Sequence, residues 1–290
     1  MGDKEFNSEL LSQLKALGPK RLVRFAGNCA LRALPFTGIN GNFDYWKEEE
    51  RAANLYALFQ AIEMNLNFIA GSSRVSAATN KSVGAAQARS ISLVLRDSAD
   101  AANLYAVTLA GREEATSQVD AVLRDNLASR AAAHAASFAL LAAISACLAP
   151  YIGAGTPITA AIRAASFARN AAGTAFRAMS FARFENKVDA GNVSLHKFDN
   201  ILLTDIDHLR RGISIAHTDR RIYGPIWQNF RAALCNEGCN YWGQLFEQLF
   251  ADAFVSRPGS LRMNVPAEIS ARGAAVVAAW LRSREKDSDL

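Results

Sequence analysis

The sequence predicts an all-α protein, a multi-helix bundle built around a central, long, Ala-rich antiparallel helical hairpin. Three observations carry that reading. Helix start and stop signals punctuate the whole length. No stretch sustains the period-2 alternation of β-branched residues that a strand requires. And from Ala131 to Ile162 the chain reads AAAHAASFALLAAISACLAPYIGAGTPITAAI, without one formal charge.

Taken in order, Ser8 can cap a first helix that Gly18 ends, and Pro19 is preorganised to open a second through Leu22, Phe25, Cys29 and Leu34, closed by Pro35. A turn-rich loop, PFTGINGNFD, then leads to Asp44 as the expected N-cap of a long helix. Glu48, Glu49 and Glu50 suit its early turns through the helix dipole, and Gly71 is its natural stop. The polar stretch GSSRVSAATNKSVG reads as a loop or poor helix. A firmer helix follows through Ile91, Leu93 and Leu95, with a kink and fresh cap expected near Ser98 or Asp100. Glu113 and Glu114 mark the expected start of the next helix, which continues through Val119, Val122, Leu123 and Leu127 into the uncharged run as far as Pro150.

Between Tyr151 and Pro157 the glycines and prolines reverse the chain, and Thr156-Pro157 opens the second arm of the hairpin. A helix from about Ser194 to Arg211, closed by Gly212, comes next. A loop runs to Pro225, two shorter helices lie around Phe230 and Leu245, SRPGSL forms a loop, and Asn264 and Pro266 open a last helix. Residues 1–290 read as one helical domain with a candidate sub-boundary near 188–194. The word AANLYA occurs at Ala52 to Ala57 and again at Ala101 to Ala106, which suggests two helices with similar packing roles.

Half of the residues are hydrophobic and 20% are charged, so the chain can bury a large core and disorder is excluded. The formal charge of +5 is spread among carboxylates and forms no dense basic block, so nucleic acid is not an expected partner. Arg163, Arg169, Arg177 and Arg183 interleave with Phe167, Phe176, Phe181 and Phe184, but the rings do not gather on one side of a helix as a stacking platform would need. Cys29, Cys147, Cys235 and Cys239 form no disulfide framework, which fits a reducing cytoplasm. The first residues lack the apolar core of an export signal, and Phe6 stands where a myristoylation signal wants Ser or Thr.

Chemistry is sparse. Cys235 and Cys239 would share a face only if a helix survives Gly238, and Asp205, Asp207 and His208 offer no second zinc half-site, so no metal and no cofactor is expected. GAGT at Gly153 precedes a helix but lacks the strand and lysine of a phosphate loop. Arg211 and His217 have a spacing similar to the Arg-to-His pair of HEPN-type helical ribonucleases, yet Gly212 would end the helix between them, and no catalytic residue is assigned.

Two short words, NCALRALP from Asn28 to Pro35 and PIW followed by NYWGQLF between Pro225 and Phe246, flank the Ala-rich middle. They resemble a diffuse group of Ala-rich, all-helical bacterial proteins of unassigned role. In that group the word after the proline tends to read LW, and Ile226-Trp227 departs from it. The resemblance implies a bacterial, all-helical protein and brings no catalytic residues.

The functional expectation is a non-enzymatic interaction module, an adaptor, regulator or immunity-type partner of another protein, with homo-oligomers possible. Trp46, Trp227, Tyr241, Trp242 and the aromatic loop from Phe36 to Trp46 are its candidate contact residues. The alternative is a membrane effector of cell or phage defence that inserts the hairpin into the inner membrane on activation through Phe138, Leu140, Leu141, Ile144 and Leu148. Alanine contributes little to insertion, and His134, Ser137 and Ser145 oppose it. A helical ribonuclease is the third reading.

Overall fold

In the computed structural model the described residues are 3–70, 77–115, 120–150, 156–182, 188–212, 220–250, 265–270 and 272–288. They fold as helices joined by short connections, with no strand among them.

The first helix, α1 (Asp3–Leu14), buries Phe6, Leu10 and Leu14. Helix α2 (Pro19–Ala33) begins on its proline and continues directly into a short 3-10 helix, Leu34–Gly38, so Pro35 tightens the chain without ending it. Helix α3 (Glu48–Ala70) has its three glutamates in the first turn. Asp44 lies four residues upstream of that start and does not cap it; its carboxylate instead accepts a bond from Arg51 at 2.7 Å.

Helix α4 (Ala77–Ala115) passes through residue 98 without a break, contrary to the expected kink. Ser98 is satisfied inside the helix: its hydroxyl donates to the Val94 carbonyl at 2.7 Å and lies 2.8 Å from Asn54 Oδ1. Glu113 and Glu114 fall in the last turn of α4, not at the start of the next helix, α5 (Asp120–Leu148).

Helices α5 and α6 (Thr156–Ala182) form the hairpin at the centre of the bundle. Phe138 stacks on Phe167, centroids 6.4 Å apart, and both rings stand roughly three helical turns from the connection, as antiparallel helices require. Ala135, Ala142, Ala143 and Ala146 of α5 and Ala161, Ala164, Ala165, Ala168, Ala171 and Ala172 of α6 are buried. With only a methyl group to accommodate at each position, the two backbones approach closely, and many weak dispersion contacts replace a few large side chains. Helices α2, α3 and α4 pack around α5, while α1, α2 and α7 (Val188–Arg211) pack around α6. The hairpin packs against these helices, while α6 keeps Thr159, Arg163, Asn170 and Arg177 exposed.

Helix α7 begins at Val188, earlier than Ser194, and ends where Gly212 takes φ +71°. Helix α8 (Arg220–Asn236) contains Pro225, which was expected to precede it. Having no N–H, Pro225 gives up one bond of the second turn, and Gly224 before it carries no Cβ to clash with the ring. Helix α9 (Asn240–Phe250) follows a tight turn. The single last helix expected from Pro266 is two pieces, α10 (Ala267–Ser270) and α11 (Ala274–Ser288), because Gly273 at φ +88° breaks the run. Segments 71–76, 151–155 and 251–264, which hold part of the polar stretch, the hairpin reversal and SRPGSL, lie outside the described residues.

Candidate interaction surface

The aromatic residues singled out as contact candidates are mostly structural anchors. Trp46 is buried, stacked on Phe43 with centroids 5.7 Å apart, and its Nε1 donates to the Ser98 carbonyl at 3.1 Å, which ties the loop after the 3-10 helix to α4. Trp242 is buried between Phe59 and Phe246, at 4.7 and 6.4 Å, and donates to the Ala274 carbonyl at 3.2 Å. Tyr241 is buried edge-on against Trp242. Trp227 packs against Phe230 and leaves part of its ring exposed. These four are not brought together: Trp46 serves the α4 side, Trp242 and Tyr241 the junction of α3, α9 and α11.

The loop from Phe36 to Trp46 points its rings inward. Phe36, Phe43 and Trp46 are buried, and its polar residues Asn40, Asn42 and Asp44 face solvent. With Tyr105 of α4 they line a cleft of about 130 Å³ beside that helix. The Tyr45 hydroxyl donates to the Thr37 carbonyl at 2.7 Å, and burial holds its phenol well above the usual range, so it keeps its proton.

Of the residues proposed for insertion, Leu140 and Ile144 are buried and Phe138, Leu141 and Leu148 are half-buried against the core. Among the described residues, no helix is long and apolar enough to cross a membrane.

The buried polar groups are committed to one another. Arg32 of α2 grips Asp205 of α7, and Arg169 of α6 grips Asp199 of α7 at 2.7 Å while its guanidinium lies 5.1 Å from the centre of the Phe6 ring. Burial pushes the Asp199 carboxyl upward, opposed by the hydrogen bond from Arg169. Burial likewise raises the Cys29 thiol, and takes those of Cys147 and Cys239 up to about 12. None of these three is a nucleophile at neutral pH.

Cys235 and Cys239 do not share a helical face, because α8 ends at Asn236 and Gly238 turns the chain at φ +69°; Cys235 is exposed and Cys239 buried. Asp205 is spent on Arg32 and Asp207 on Arg211, so the acidic cluster of α7 offers no free ligand pair, and no metal-ligand group of three occurs among the described residues. His134 is held below its usual range first by burial and then by Arg130. Arg211 is the last residue of α7, and His217 lies outside the described residues.

The surface of α4 departs from this pattern. Its inner side carries Ala88, Ile91, Leu95, Ala99, Ala102, Ala106 and Leu109, all buried against α3 and α5. The opposite side carries Leu93, Leu104 and Val107, exposed by 58%, 67% and 55%, with Asp97 and Asp100 between them. The positions 93, 97, 100, 104 and 107 alternate steps of four and three, the spacing of a seam that meets another helix, along about 21 Å.

The two copies of AANLYA make the contrast concrete. In α3, Asn54 and Leu55 are buried; in α4, Asn103 and Leu104 are exposed. The last alanine of the word, Ala57 or Ala106, is buried in both helices while its Asn and Leu are not, so the two copies pack differently. The sequence signal for the α4 surface lay in the four-three spacing, which the inward series Ile91, Leu95 and Leu109 obscures.

No protein-family model matches the chain, and no match appears among curated proteins or solved structures.

Proposed function

We propose that this protein is a non-enzymatic helical interaction module, an adaptor, regulator or immunity-type partner acting in the cytoplasm, and that it works through the outward side of α4. The observation that carries this reading is the exposure of Leu93, Leu104 and Val107 on a helix whose other side is fully engaged with the bundle. Large apolar side chains aligned on one rigid helix gain free energy when another protein removes them from water. The arrangement of the other polar groups agrees: the buried arginines are paired with carboxylates and the buried thiols keep their protons, leaving recognition as the activity the surface supports.

The test is affinity purification from the source cell with the wild-type chain and an L104E/V107E variant in parallel. Both substitutions lie at exposed positions, where the new carboxylates stay in water, and circular dichroism of the variant verifies its fold. Proteins that co-purify with the wild type and are lost from the variant support the reading; an identical set from both overturns it.

A further inference from the structure

The outward side of α4 also says what kind of helix it meets. Resting on the interaction reading above, we infer that its occupant is an amphipathic helix of a different protein, apolar at the two ends of a contact about four turns long and cationic between them. The seam runs Leu93, Asp97, Asp100, Leu104, Val107, so two carboxylates sit where a helix-helix contact ordinarily holds apolar side chains. Both Asp97 and Asp100 are exposed, and neither has an ion-pair partner among the described residues. Covering them with an apolar helix strips their water without return, whereas lysine or arginine at the facing positions compensates.

The same pattern disfavours a second copy of this chain. An antiparallel pairing that sets Leu93 against Leu104 of the other copy also sets Asp97 against Asp100, twice over, and gathers four carboxylates in one seam. Sliding by one heptad sets Asp97 and Asp100 against Val107 and Leu104. Arg89 and Arg96 are exposed on the same side of α4, about one turn before Leu93 and Asp100, and do not fall opposite the acidic pair in the first pairing. Charge therefore selects a different partner.

A D97K/D100K variant of the full chain supplies the complementary helix. It keeps Leu93, Leu104 and Val107 and places two ammonium groups where the wild type has two carboxylates. Sedimentation equilibrium of wild type alone, variant alone and an equimolar mixture is the experiment. The expected result is a one-to-one complex in the mixture only, weakened about tenfold between low and high salt, and abolished by L104E in either chain. A monomeric mixture, with circular dichroism showing both chains folded, overturns the cationic-helix assignment while leaving the affinity-purification result standing. Self-association of the wild type that L104E abolishes also overturns it, in favour of a second copy.

Discussion

Arg32 and Asp205, 173 residues apart in sequence, meet as a two-pronged ion pair, with Nε 2.7 Å and Nη2 2.6 Å from the two carboxylate oxygens. Both side chains are almost wholly buried. Removing one partner strands the other charge, so R32A or D205A is expected to cost about 3–5 kcal/mol, while R32M/D205L recovers most of that loss. Urea unfolding of both single variants and the double variant checks the prediction; equal losses in all three contradict it.

The thiols divide sharply. Cys235 is exposed, and Cys29, Cys147 and Cys239 are buried. Ellman's reagent at pH 8 is expected to modify one thiol quickly in the folded protein and the other three only on unfolding. The raised thiols also make stability fall in base. Below the unfolded value of 9.0 both states keep the Cys147 proton; between 9.0 and about 12 only the folded state does. That contribution is complete below pH 9 and is lost as pH rises toward 12, at about 1.4 kcal/mol per unit. C147A should flatten the decline over that window in a series of urea titrations.

Gly273 is a second sensitive point. A methyl group added there stands 2.6 Å from the Ala52 side chain, at a φ of +88° that L-residues avoid. G273A is expected to lose about 1–3 kcal/mol by loosening α11 from α3. G173A, at a helical position where an added methyl makes ordinary van der Waals contact with Leu195, is expected to gain about 0.5–1 kcal/mol. Thermal unfolding of the two variants should shift in opposite directions.

Inside the hairpin, A165L and A168L insert bulk where the side chains of α5 and α6 have no room. Each is expected to cost about 1–3 kcal/mol. A substitution at exposed Leu93 or Leu104 should stay within about 0.5 kcal/mol. Parallel denaturant titrations of the two classes would expose any error in which side of each helix faces inward.

The helix boundaries that were legible in the sequence were those set by local chemistry. Pro19 opens α2, the glutamates sit at the start of α3, and Gly212 follows α7, because caps and breakers act on neighbours within a turn. The hairpin was legible from a long uncharged run whose burial nothing but helices could arrange. What escaped was decided at long range. Ser98 looked like a cap because a hydroxyl often competes with helix; here it bonds back within α4 while Trp46 holds the Ser98 carbonyl. The pairing of Arg32 with Asp205 has no local signature at all. Large rings suit an interface and a core alike, and the core claims Trp46, Tyr241 and Trp242.

The position of the alanine hairpin has a consequence for how the chain folds. Helices α5 and α6 are consecutive, and their connection is short, so joining them demands little loop-closure entropy. The Arg32–Asp205 clasp, by contrast, closes most of the chain at once. Assembly that starts from the hairpin and fastens the Arg32–Asp205 pair last follows the cheaper route, because each later helix then docks on a template that already exists.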